Sequence, residues 1–229
     1  MPDHSSEALL AKPGVILIQD VDLIQNTNAW RTLHAFAALL GGVTNLAASI
    51  LAFRRDSYSD NMWVGMLFLT GSVGFLVACS MEFLVRTEDV VKRFIVSLSM
   101  AGYALYIAGS VGMFPDFSKD DDVGYYSGSS GIMIWGYLFG SALVGVVEVV
   151  DLFKLSRTPQ GFFGNAANAN LFGLKAAGAG GALGYLVGTS ILGAGDNFDV
   201  AVAFWVVGAS SFVAAAGFLF YRHFALNLA

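Results

Sequence analysis

The sequence predicts an all-α, polytopic membrane protein of six transmembrane helices, built as three helical hairpins. Three observations carry that expectation. The chain is 56% hydrophobic and only 13% charged, whereas soluble domains are about 25% charged. Six apolar stretches lie between short polar breaks, each near the roughly 20 residues that a bilayer core requires. Small residues recur at matching places in alternate stretches, as internal repeats would leave them.

Taken in order, residues 1–31 form a polar or interfacial segment. Its one apolar run, Gly14 to Ile24, is too short to span and is interrupted by Asp20 and Asp22. The start is acidic and poor in Arg, unlike a secretory signal or a transit peptide. The spans fall near 32–53, 62–85, 93–114, 131–153, 169–193 and 200–221. The second, Asn61 to Arg86, sets the pattern, with a central Gly71-Ser72 pair, an acid near its end (Glu82) and Arg86 beyond. The fourth repeats it with Gly140-Ser141, Asp151 and Lys154, and the sixth with Gly208-Ala209 and Arg222. The fifth is the least apolar, holding Lys175 among many Gly and Ala, and is still expected to be a packed helix.

The odd spans also overlay on one another. Gly41, Gly102 and Gly181 then coincide, as do Ser49, Ser110 and Thr189. The predicted units are hairpins over 32–86, 87–154 and 155–229, the last with a short C-terminal tail. Each enters and leaves on one side, so the repeats are parallel. Loop charge sets the orientation. Arg31, Arg86, Lys92, Arg93, Lys154, Arg157 and Arg222 lie on the side of the termini, and Asp-rich loops such as 116–122 lie opposite. Both termini are therefore expected on the cytoplasmic, matrix or stromal side, with a mitochondrial or other organelle inner membrane as the proposed location.

The even-span segments LFLTGSVGFL (67–76), YLFGSALVGV (137–146) and the degenerate VVGASSFVAA (206–215) carry an aromatic-rich core with a GS pair before a basic end. In this they resemble the small YrhK-type membrane domain. That resemblance implies two-helix units, here three in tandem over about residues 32–222. It implies no chemistry and transfers no functional residues.

Composition excludes some functions. A net charge of −5 argues against nucleic-acid binding. With Cys79 as the single cysteine, no disulfide and no paired-cysteine metal site can form within the chain. Small faces, namely Gly180-Gly184-Gly188, Gly136-Gly140, Ser141-Gly145, Gly71-Ser72 and Gly208, point to close helix packing. The intramembrane acids Glu82, Glu148 and Asp151 are costly in lipid and should face protein or water. Glu82 is placed to pair with Arg86 and Asp151 with Lys154, at helical spacing. Glu148 has no such neighbour. Lys175 could pair with Glu148, snorkel, or meet a lipid headgroup.

His34 and His223 sit at one membrane level and could in principle ligate a haem iron from two sides. Interfacial histidines more often contact headgroups or cap helix ends, so haem is not expected. No cofactor and no metal site is predicted, and bound lipid is. Interface aromatics include Trp30, Trp63 and Tyr221. With no catalytic constellation visible, an enzyme is not expected. The leading expectation is a non-catalytic accessory subunit of a larger membrane complex, contacting other membrane subunits and lipids. The alternatives are a small transporter or channel with a polar path at the repeat interface, and a haem- or quinone-linked anchor.

Overall fold

The computed structural model describes residues 27–54, 58–85, 90–114, 131–195 and 197–228. The predicted interfacial run 14–24, the acidic loop 116–122 and Arg86 lie outside these residues. Among the described residues there are helices and turns and no strand. Helix α1 covers Asn28–Leu51 and ends in a 3-10 turn, Ala52–Arg54. Then come α2 (Tyr58–Val85), α3 (Val90–Val111), α4 (Gly131–Ser156), α5 (Ala166–Gly193) and α6 (Phe198–Phe220), which runs into a π-turn at Tyr221–Ala225. All six are long and apolar enough to cross a membrane, and the chain is an integral membrane protein.

The helix starts follow local chemistry. Three of them leave backbone N–H groups that a side-chain oxygen can accept. Thr27 accepts from the Trp30 N–H at 3.2 Å, Asn165 from Asn168 at 2.8 Å, and Asn197 from Asp199 at 3.0 Å. Gly195 turns the chain between α5 and α6 at φ +75°, a conformation glycine reaches without a Cβ clash.

Each helix packs against its neighbours in sequence, and α6 closes on α1, so the bundle is a ring. Large apolar side chains such as Phe36, Trp63, Phe139, Val146 and Val207 face outward, where lipid lies. Small residues face inward, because apolar burial drives helices together only weakly in lipid and close backbone approach must do so instead. A methyl added at Gly184 would lie 2.6 Å from the Gly208 Cα, and at Gly136 it would lie 2.7 Å from the Gly109 N. Gly188 is pressed as closely, 2.5 Å from the Ala201 carbonyl oxygen. The expected ridge is corrected at one position. Gly180 has only an ordinary 3.5 Å neighbour, Ser211 Oγ, while Gly181 next to it is pressed against Phe212 at 2.6 Å. The helix rotates that residue, not Gly180, into the seam.

The half of the ring remote from residues 27 and 228 is filled. Phe68, Tyr137 and Trp205, from α2, α4 and α6, form a triangle with ring centroids 5.8, 5.9 and 6.4 Å apart. Buried hydroxyls tie it down. Ser110 Oγ lies 2.8 Å from the Tyr137 hydroxyl, Ser141 Oγ lies 2.8 Å from that of Tyr106, and the Trp205 indole N–H donates to Thr189 at 3.1 Å. Ser72 Oγ sits 3.3 Å from Ser110 Oγ. Phe75, Phe212 and Tyr103 lie next towards the terminal side.

These contacts make the glycines unequal. Gly184→Ala should cost about 1–3 kcal/mol through overpacking. Gly217→Ala, with nothing within 4 Å of the added methyl, should be neutral or stabilising by up to about 1 kcal/mol. Reversible unfolding in mixed detergent measures both, and equal effects would show that the α5–α6 seam is not tight.

Candidate functional site

On the terminal side of that aromatic layer the ring is not filled. A cavity of about 110 Å³ lies there, and a vestibule of about 530 Å³ lies further out. His34, Glu82, Asp151 and Lys175 line both spaces, which therefore meet. Five of the helices contribute titratable groups: His34 from α1, Glu82 and Cys79 from α2, Tyr103 from α3, Glu148 and Asp151 from α4, and Lys175 from α5. His223, in the turn after α6, lines the vestibule.

The centre of the cluster is Lys175. Its Nζ lies 3.2 Å from Glu148 Oε2 and 2.9 Å from Asp151 Oδ2, and all three side chains are less than one quarter exposed. Glu148 and Asp151 lie three residues apart on α4, so both carboxylates project from one face. Room for them comes from α5, where a methyl on Gly178 would sit 3.0 Å from the Glu148 carboxyl carbon. The helical pair expected between Asp151 and Lys154 is corrected. Asp151 turns inward to Lys175, because the facing helix holds a cation 2.9 Å from its carboxylate. The partner expected for Glu82, Arg86, lies outside the described residues. Glu82 faces the vestibule, one third exposed, with Oε1 3.5 Å from His34 Nε2.

His34 and His223 meet because α6 closes on α1. His34 Nδ1 lies 3.0 Å from His223 Nε2, and both rings are buried. Their nitrogens hydrogen-bond each other, so a haem held between them would require the rings to part. Trp30 covers the pair, its ring centroid 4.8 Å from that of His34. The chain end completes the group. The π-turn and the positive φ of Asn227 (53°) fold the tail back, so that the Leu228 carbonyl lies 2.9 Å from His223 Nδ1. The Arg31 guanidinium holds this hook by donating to Asn227 Oδ1 and, at 3.4 Å, to the His223 carbonyl. Nothing in an apolar pattern marks such a hook; an asparagine near a chain end is its only trace.

The glycines and serines named from the sequence do not line this site. Gly71, Gly140, Gly184, Gly188 and Gly208 lie at helix–helix seams, and Ser72 and Ser141 belong to the hydroxyl network around the aromatic layer. Among the described residues no group of three metal-ligating side chains is placed to hold an ion.

Comparison of the chain with protein-family models, with curated proteins and with solved structures finds no match.

The charge balance gives a direct test. Lys175→Met strands two largely buried carboxylates and should cost about 3 kcal/mol, the low end for a broken buried pair, because the site keeps some water. The triple variant Lys175→Met, Glu148→Gln, Asp151→Asn should recover most of that loss. Unfolding in mixed detergent measures both, and a harmless single variant would show that the charges are solvated independently.

Proposed function

We propose that the chain is a small carrier or channel whose binding site is the Glu148–Lys175–Asp151 cluster. One observation supports this most. Charged side chains from separate helices converge on a cavity that is open through a vestibule on one side and backed by an aromatic layer on the other. Ionisable groups within membrane spans are expensive, and they mark ion or substrate paths more often than scaffolding. Three carboxylates stand against one lysine in the cavity wall, so the preferred ligand is a proton or small cation. The basic residues of the vestibule, Lys92, Lys154 and Arg222, lie outside that wall.

Matching contacts support a built-in threefold repeat. Gly41, Gly102 and Gly181 press on Phe75, Val144 and Phe212, each four residues after a central glycine of the next helix. Gly71, Gly140 and Gly208 press back on Asn45, Tyr106 and Tyr185, each four residues after the first set. His34, Ile95 and Leu174, all cavity-lining, lie seven residues before the glycines of the first set. On this reading the site sits on the axis relating three hairpins of the YrhK kind, and the terminal side is cytoplasmic, or the matrix or stroma of an organelle.

A second reading, the accessory subunit, draws support from Phe163. It is 73% exposed in the connection between α4 and α5 and clusters with Phe162 and Phe172, which suits a partner or the bilayer interface. Flux separates the two. Purified protein in liposomes carrying a pH- or cation-sensitive dye should dissipate an imposed gradient, and Glu148→Gln should lower that rate at least tenfold while the protein still elutes as folded. Absence of flux with wild-type protein, together with migration of the native chain in a large stoichiometric assembly, would favour the subunit.

A further inference from the structure

The charges at the centre of the cavity do not cancel, and its walls are of two kinds. Lys175 sets one ammonium against two carboxylates, 3.2 Å from Glu148 and 2.9 Å from Asp151. All three side chains are less than one quarter exposed, so one negative charge is left over in a largely buried group. A charge so placed calls for an opposite one. Glu148 Oε2 points the same way on separate grounds. It is buried, and although Lys175 Nζ approaches to 3.2 Å, no donor among the described residues hydrogen-bonds it. A buried acceptor in that state is the mark of a donor still to be supplied.

Counting from the central glycines sorts the walls. Eleven residues after Gly71, Gly140 and Gly208 stand Glu82, Asp151 and Leu219, and eight residues after them stand Cys79, Glu148 and Ala216. All six line the cavity. Helix α6 therefore carries leucine and alanine at the two positions where α4 carries its acids. With Phe212 and Ala215, α6 lines the cavity with apolar groups alone. The volume is small. About 110 Å³ is the room of roughly three or four waters, each taking ~30 Å³.

A ligand that fits must match the charge, the open acceptor, the apolar wall and the size together. Hard metal ions take six or more oxygens, and among the described residues no three metal-ligating side chains are placed for one. A proton would match the charge and leave the apolar space unused. A primary ammonium on a short alkyl chain answers all four features. Its charge cancels the surplus, its N–H groups donate to carboxylate oxygens, and its chain covers the α6 wall. Lys175, an alkyl chain ending in an ammonium, already holds such a group against these carboxylates.

We propose that the cavity binds a small primary alkylammonium, its charged end at Glu148 and Asp151 beside Lys175 and its alkyl end against Ala215, Ala216 and Leu219. The proposal rests on the carrier or channel reading for the site and names the ligand class of that site.

Equilibrium dialysis of the full-length protein in detergent at neutral pH tests it, with radiolabelled propylammonium as the probe. Propylammonium has four heavy atoms, which suits the volume. One saturable site per chain is expected. Potassium should compete about tenfold less well than unlabelled propylammonium, and tetraethylammonium, too bulky for the cavity, should not compete. Glu148→Gln removes the surplus charge and should weaken binding about tenfold or more. Ala215→Leu takes up alkyl space and should weaken propylammonium more than it weakens ammonium. Absence of saturable binding, equal competition by potassium, or a site that both variants leave intact would overturn the proposal. Binding without flux in liposomes keeps the ligand class and sinks the carrier reading, whereas proton or potassium flux without propylammonium binding does the reverse.

Discussion

The structure depends on how Lys175 is neutralised. An ammonium in the middle of a helical ring is tolerated only if opposite charge meets it without a large movement of backbone. Glu148 and Asp151 do this from one face of α4, at 3.2 and 2.9 Å. The cost of the arrangement is that α4 and α5 must stay in register around an unfilled space. That space is the cavity. The same constraint accounts for Gly178, since even a methyl there would crowd the Glu148 carboxyl carbon at 3.0 Å.

The rest of the ring supplies the rigidity that this register needs. Glycines hold the seams at backbone distance, so the helices cannot slide without breaking several close contacts together. Phe68, Tyr137 and Trp205 fill the opposite half, and hydroxyls on the facing helices satisfy their polar atoms. A buried phenol or indole without a partner would leave an unpaired polar group in an apolar core. The result is asymmetric, dense on one side and open and charged on the other. The His34–His223 pair sits at the open side because the first and last helices are neighbours there, and the folded-back tail locks the pair.

Much of the architecture was legible in the sequence, because spans follow from apolar length and seams from glycine spacing. The helices extend the expected spans by a few residues at several ends, where polar side chains such as Thr27 and Asn165 cap them. The charged residues were legible as residues but not as partners. Spacing alone pairs Asp151 with Lys154, by a rule drawn from water-exposed helices, and inside the ring the facing Lys175 wins. Closure of α6 on α1 was not legible, since nothing in six apolar stretches states which two are neighbours across the ring. The contact of His34 with His223 and the hook made by Asn227 both follow from that closure. Gly180 was one position off the seam because the rotation of α5 is set by its two neighbours together, not by its own pattern.

The central claim is that the charged cavity is reached by water from the terminal side and closed from the other. Cys79 tests it without engineering, because it is the single cysteine of the chain and lines the cavity. Proteoliposomes of known orientation are exposed to a small membrane-impermeant thiol reagent on one face at a time, and the labelled protein is counted by mass spectrometry. Cys79 should be modified from the terminal face alone, and more slowly when a permeant cation fills the cavity. Equal labelling from both faces, labelling only from the opposite face, or none from either would contradict it.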